Sequence, residues 1–413
     1  MSSMKILLSA FAFSPVWGSE PGVGWAWAME LSKDHEVTVL THRYFENHMR
    51  QLKVQMGEFP FTVLYLDLKP IVHHSYEQYL NSQLHAIRWQ WKARGHVRKL
   101  LETERFDLIH HLTWGTIRYP SFLQGLGVPL VAGPLGGGER APWGLYRGVP
   151  WRDRLRELLR DGLIWSAAWD PMIHWTWGRT ELLLCKTRES LAALPWHVRK
   201  RSVVAHEIGS PPVINDEALM PQPSPGQPLQ LLYVGRLIAL KGLHLALAAL
   251  AKTSAAGVDW RLTVVGVGPM EHPLKALAAS LGISQRITWV GGLSREHVMS
   301  MYGQHDAFLF PSLHDSSGNV VLEALSQGCP VLCVDLGGPP HFLDERCGAV
   351  VPVRSGAIDP VVNGLSRTLI QWAQNRSALY AMRAGALACA REQTWAHRVQ
   401  ATYKLIGERL KIR

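Results

Sequence analysis

Two stretches of the chain carry side chains suited to gripping a phosphorylated ligand. The first is Val234-Gly235-Arg236-Leu237, followed by Lys241-Gly242. It comes directly after an apolar run, Leu231–Val234, that reads as a buried strand. An Arg and a Lys five residues apart on a loop at a strand's carboxyl end can clamp a diphosphate from two sides, the guanidinium as a fork and the ammonium as a point charge. Taken alone, the spacing is equally compatible with two solvated charges on an ordinary loop. The second stretch runs from Phe310 to Pro330. A strand ends at Pro311, and Ser316 or Ser317 can cap a helix that Gly328 stops before Pro330. The backbone N–H groups of Gly318, Asn319 and Val320 then form a helix N-terminus, where an anion is favoured. Asp315 precedes that helix, and Glu323, eight residues on, lies one turn inside it. The apolar neighbours Val320, Val321, Leu322, Ala324 and Leu325 suit a half-buried helix better than an exposed one. The turn Val265-Gly266-Val267-Gly268-Pro269 follows the next strand, and by itself it marks a position only.

Short apolar strands alternating with helices must position these loops. In the first half, strands are expected at Lys5–Ala10, Glu36–Thr41, Phe61–Leu66, Leu108–His111 and Pro129–Ala132. Helices are expected at Trp25–Leu31, about Tyr76–Glu104 and Arg152–Trp169. Four prolines in Pro221–Pro228 exclude helix and central strand, and make that segment the linker. The alternation then restarts with strands at Leu231–Val234, Arg261–Val265, Ile287–Val290, Ala307–Phe310 and Val331–Val334, and a helix at Leu243–Ala251. Trp395, Val399, Tyr403, Ile406 and Leu410 form one apolar face of a final helix. The fold class is therefore α/β, with two doubly wound domains facing a cleft and ligands at the carboxyl ends of the strands. The expected division is residues 1–220, a linker at 221–229, a second domain at 230–394, and a C-terminal helix at 395–413 packing back towards the first domain.

Composition narrows the function classes. The 413 residues are 47% hydrophobic and 18% charged, which suits buried cores and argues against disorder. The net charge of +10 fits an anionic partner. The excess is spread over both halves, so no detachable basic nucleic-acid arm is present. The five Cys, 185, 329, 333, 347 and 389, show no paired zinc-ligand spacing and point to a reducing compartment without a disulfide framework. No run reaches about 18 apolar residues, the length of a membrane span. The short apolar start reads as a buried strand, not a signal peptide. The expected location is cytoplasmic, at the inner face of a membrane.

The second half resembles the retaining glycosyltransferases of family 4, which have the GT-B fold. The matching pieces are the Val-Gly-Arg-Leu…Lys-Gly loop, the Val-Gly-x-Gly-Pro turn, Val290-Gly291, Tyr302…Asp306…Pro311-Ser312, the two acids Asp315 and Glu323, Gly328-Cys329-Pro330-Val331 and Gly337-Gly338. The resemblance implies that Arg236 and Lys241 bind the donor's diphosphate and that Glu323 binds the nucleotide's ribose. It also implies that Asp315, with the amides at Gly318, Asn319 and Val320, holds the donor sugar. The family usually has Glu at the first acid; Asp315 is a methylene shorter. In the first half, Gly18-Ser19-Glu20-Pro21-Gly22-Val23-Gly24 sits where the family has a glycine-rich loop. The resemblance thus places Gly22 and Gly24 near donor and acceptor, although a plain strand-to-helix turn reads as well. Many members carry a sugar-contacting His after the strand Pro129–Ala132. Here the chain has Gly133-Pro134-Leu135-Gly136-Gly137-Gly138-Glu139-Arg140 instead. Glu139 and Arg140 are expected to shape the acceptor side together with His111, which like His110 can also be a satisfied structural residue.

Thirteen of the 17 Trp precede residue 225. Trp89, Trp91, Trp143, Trp151, Trp165, Trp169, Trp175 and Trp177 interleave with Arg and Lys, which suits a membrane–water interface, a carbohydrate-stacking groove or a Trp-rich core. No nucleic-acid recognition module is visible. The expected function is transfer of a sugar from a nucleoside diphosphate sugar to a hydroxyl of a lipid-linked or glycan acceptor, with retention, in polysaccharide or glycolipid assembly. An anionic membrane surface is a further expected partner. No Asp-x-Asp occurs, so neither a catalytic metal nor another cofactor is expected. A sugar-nucleotide epimerase of related fold, or a non-catalytic nucleotide-sugar-binding protein, is the alternative.

Overall fold

Most of the strands are covered on both faces and therefore read as near-continuous apolar runs. In the computed structural model, which describes residues 3–16, 20–68, 83–215, 226–354 and 356–411, seven strands precede residue 209. They are β1 (Lys5–Ala10), β2 (Glu36–His42), β3 (Thr62–Leu66), β4 (Leu108–Thr113), β5 (Leu130–Leu135), β6 (Leu182–Cys185) and β7 (Ser202–Val204). They pair in parallel in the order β3-β2-β1-β4-β5-β6-β7. Six more, β8 (Leu229–Val234), β9 (Trp260–Val265), β10 (Ile287–Gly291), β11 (Ala307–Phe310), β12 (Val331–Val334) and β13 (Gly348–Val351), form a second parallel sheet in the order β10-β9-β8-β11-β12-β13. The strand order reverses between β1 and β4 in one sheet and between β8 and β11 in the other, and such switch points open a crevice at the strands' carboxyl ends. Strands β6, β7 and β13, which have only four, three and four residues, are additions to the sequence reading.

The chain divides into two units. One comprises residues 1–138, 162–208 and 395–413, the other residues 139–161 and 209–394. Residues 139–161, expected in the first domain, group with the second for a packing reason. Ala141, Leu145, Tyr146 and Val149 belong to the second unit's core, and His244 Nε2 pairs with the Leu145 carbonyl at 2.8 Å. Residues 216–225, most of the expected linker, lie outside the described residues, as do residues 76–82 of the expected long helix, described as Gln83–Thr103.

The final helix, Trp395–Leu410, belongs to the first unit and packs on the helix Glu20–Leu31 through buried Val399, Tyr403 and Ile406. Tyr403 reaches His110 Nδ1 at 2.9 Å, and the other ring nitrogen pairs with the Gly133 carbonyl at 2.8 Å. His110 is thus a satisfied core residue, and burial pushes its pKa down to about 4. His111, expected on the acceptor side, is also fully buried, against Trp177, and burial pushes it down to about 3. It sits inside a strand of a sheet covered on both faces, so the core takes it.

The expected glycine-rich loop is also different. The helix begins at Glu20, so Gly22 and Gly24 lie within it. A Cβ on Gly24 would stand 2.9 Å from the Ala12 carbonyl oxygen, so this glycine lets the helix close on the end of β1. Glu20 accepts from the amides of Trp114 and Gly115, joining the helix start to the end of β4.

Candidate active site

The loops after β8 and β11 meet because these two strands are neighbours at the switch point of the second sheet. Gly242 has φ +68, and any Cβ there would collide with the Pro311 carbonyl, so glycine permits a contact that another residue would block. The Leu240 carbonyl accepts from the amides of Leu313 (2.8 Å) and His314 (3.3 Å). This stitching brings Lys241 Nζ to 2.6 Å from Asp315 Oδ2, with Nζ also 5.4 Å over the Phe310 ring. The other carboxylate oxygen of Asp315, Oδ1, accepts from the amides of Gly318 (2.8 Å) and Ser317 (3.2 Å). Asp315 therefore holds the turn that launches the helix Asn319–Ser326, and Gly318 is its N-cap in place of the expected serines. The Gly318 amide is consequently spoken for. The amides of Asn319 and Val320, first in the helix, have no acceptor among the described residues.

Glu323 is half-buried one turn in, and Arg295 Nε donates to its Oε1 at 3.0 Å. Burial pushes its carboxyl above the ordinary range, opposed by the charge and hydrogen bond of Arg295. Arg295 was not singled out in the sequence; its Glu323 contact spans 28 positions and two helices. Arg236 is exposed, on a loop fixed by hydrogen bonds from the Leu237 amide to the Val267 carbonyl and from the Met270 amide to the Leu237 carbonyl. The Val-Gly-x-Gly-Pro turn thus backs the Arg236 loop.

Glu139, expected to shape an acceptor side from the first domain, lies in the second unit, fully buried, with His314 Nε2 3.4 Å from its Oε2. It therefore adjoins the residue next to Asp315. Arg140 is half-exposed and 3.9 Å from Asp161 Oδ2. The helix Trp151–Ser166 buries Glu157 and Asp161, both facing Arg160 at 3.0 and 3.6 Å, and exposes Leu155, Leu158, Leu159, Leu163, Trp151 and Trp165. The two carboxylates are turned inward, whereas Arg152, Arg154 and Arg156 are exposed. Of the eight Trp expected at an interface, Trp89 and Trp177 are core residues whose indoles donate to the carbonyls of Leu66 and Ile117. No described helix is long and apolar enough to cross a membrane. The cysteines also depart from their sequence spacing: Cys347 and Cys389 meet in space beside Asp344.

This architecture defines a class. The fold is that of a lipopolysaccharide outer core galactosyltransferase, WaaB, matched with TM-score 0.59 at 16% identity over 98% of this chain and 99% of that one. The chain has the expected GT-B fold. Residues 215–377 match the family model of glycosyl transferases group 1. Relatives similar to part of this chain include the 2-deoxystreptamine glucosyltransferase of Streptomyces kanamyceticus, 32% identical over 33% of this chain and 34% of its own length. Another is the D-inositol 3-phosphate glycosyltransferase of Nocardia farcinica, 32% identical over 42% of this chain and 39% of its own length. The chain thus spans roughly a third of the length of these relatives.

Proposed function

We propose that this chain transfers a sugar from a nucleoside diphosphate sugar to a hydroxyl acceptor, with retention at the anomeric carbon, in polysaccharide or glycolipid assembly. The observation that carries this reading is the Lys241–Asp315 pair at the head of the helix Asn319–Ser326, with Glu323 one turn on, inside the segment that matches the transferase family. Arg236 and Lys241 bind the donor diphosphate, and the Asn319 and Val320 amides add fixed dipoles where negative charge grows as the leaving group departs. Glu323 binds the ribose hydroxyls and Asp315 the donor sugar. These cationic side chains do the work that an acid-held metal does elsewhere. The names of the relatives specify acceptors rich in hydroxyl groups, which supports a hydroxyl nucleophile here. The exposed leucines and tryptophans of the helix Trp151–Ser166, flanked by exposed Arg152, Arg154 and Arg156, support an anionic membrane surface on the cytoplasmic side as the seat of a lipid-linked acceptor.

Calorimetric titration of uridine, guanosine and adenosine diphosphates, without divalent ions, tests the donor site. One of them should bind one-to-one, and Lys241→Ala should weaken it by roughly ten- to a hundredfold, as loss of a charged hydrogen bond does. Absence of binding by all three, or wild-type affinity in both Lys241→Ala and Arg236→Ala, would contradict the assignment.

A further inference from the structure

The second unit carries a cluster that the donor site does not use. Asp344 and Cys347 lie on the turn before β13, and Cys389 lies on the helix Arg376–Glu392. Asp344 Oδ1 is 3.6 Å from Cys389 Sγ and 3.8 Å from Cys347 Sγ, and the three atoms lie within 4.8 Å of one another. We propose that Asp344, Cys347 and Cys389 form a binding site for one zinc-class divalent ion, which fastens the turn before β13 to the helix Arg376–Glu392.

The distances are those of ligands around such an ion. Zn–S bonds of about 2.3 Å and Zn–O bonds of about 2.0–2.2 Å at tetrahedral angles put sulfur and oxygen about 3.5–3.7 Å apart. The Cys389 edge, at 3.6 Å, meets that spacing, and the Cys347 edge, at 3.8 Å, lies just beyond it. Two thiolates with one carboxylate suit zinc or cobalt; magnesium and calcium prefer all-oxygen sets.

The carboxylate is aimed by its surroundings. Arg346 holds Oδ2 through Nε at 3.0 Å and a terminal nitrogen at 2.7 Å, which turns Oδ1 towards the thiols. Glu392, on the helix that carries Cys389, holds the same guanidinium at 2.9 and 3.0 Å. Such outer partners orient ligands and tune metal affinity. Both thiols are buried, whereas the Asp344 side chain is 47% exposed. An ion therefore has an entry path and a water for its fourth position. Binding forms two metal–sulfur bonds and one metal–oxygen bond and releases the two thiol protons to solvent. Three anionic ligands leave the bound ion with one net negative charge, which the Arg346 guanidinium offsets.

The test is titration of reduced, metal-free protein with cobalt(II). One equivalent should give a thiolate-to-cobalt charge-transfer band, about two protons should be released per ion, and zinc should displace the cobalt. Cys389→Ala should abolish the band, while Cys185→Ala, in the first unit, should keep it. Asp344→Asn alters an exposed position and keeps both thiols, so it separates loss of a ligand from loss of the fold. It should weaken binding at least tenfold, and zinc should raise the melting temperature of the wild type more than that of this variant. A missing charge-transfer band, a band retained in Cys389→Ala, or unchanged affinity in Asp344→Asn would overturn the site. So would a Cys347–Cys389 disulfide that takes up no metal after reduction.

Discussion

Lys241 Nζ and Asp315 Oδ2 stand 2.6 Å apart across 74 positions of sequence, with side chains 20% and 16% exposed. A pair buried to this degree must offset the desolvation of both charges, so its short distance is weak evidence for stability. Its consequence is geometric: one oxygen of Asp315 faces the ammonium while the other anchors the Ser317 and Gly318 amides. The acid, the base and the helix N-terminus are held as one unit.

Asp315→Asn keeps the shape but loses the charge that faces Lys241. With Asp315 in its proposed place at the reacting end of the donor sugar, the variant should lower kcat by roughly ten- to a hundredfold, the worth of a charged hydrogen bond, with little change in donor KM. Steady-state kinetics at saturating acceptor decide this, and an unchanged kcat would remove Asp315 from its role. Asp315→Glu lengthens the acid by a methylene and should reduce activity on the native sugar.

Glu323 predicts a pH signature. In its proposed role the carboxylate accepts hydrogen bonds from the ribose hydroxyls, and its protonated form cannot do so equally. Burial raises its pKa, so on acidification donor affinity should begin to fall at a higher pH than an ordinary Glu would dictate. Arg295 opposes that rise, so Arg295→Ala should move the fall to still higher pH. Glu323→Gln should raise donor KM at neutral pH and flatten its acid dependence. A donor KM with the same pH profile in all three proteins would count against the role.

The sequence made the loops legible and left the pairings hidden. Arg236, Lys241, Asp315 and Glu323 stand out because Gly, Pro and charge cluster where apolar runs stop, and strands β11 and β12 coincide with their apolar runs. No periodicity reveals that Lys241 meets Asp315, since that contact depends on β8 and β11 being neighbours. The helix Trp151–Ser166 was legible as a helix, but its burial is inverted: Glu157 and Asp161 face inward and the leucines outward, against the usual rule for amphipathic faces. Strand β7, with three residues, was too short to be separated from the helices around it. The Cys347–Cys389 pairing, with one member before a strand and the other on a helix, has no trace in local spacing.

That inverted helix should bind membranes. Protein should sediment with anionic vesicles and far less at high salt, where charges are screened. Burying a leucine is worth about 1.5–3 kcal/mol, so Leu159→Asp should cut partitioning by roughly ten- to a hundredfold. Equal binding to neutral and anionic vesicles, or no effect of the substitution, would dismiss this face as the docking surface.

In the proposed mechanism Arg236, Lys241 and the helix N-terminus face the diphosphate, so catalysis should need no magnesium or manganese. Metal-free protein, assayed below its own melting temperature, should turn over at the same rate with or without either ion. A tenfold or greater stimulation by magnesium or manganese would show that the cationic side chains do not suffice.

The most direct measurement is product analysis after incubating the purified protein with a panel of radiolabelled nucleotide sugars and a membrane extract. The predicted result is label transferred to lipid or glycan, one nucleoside diphosphate released per transfer, retained anomeric configuration, and loss of transfer in Asp315→Asn and Lys241→Ala. An altered sugar on intact free donor would instead make the protein an epimerase. Tight donor binding without turnover in any extract would make it a binding protein, and either outcome would contradict glycosyl transfer.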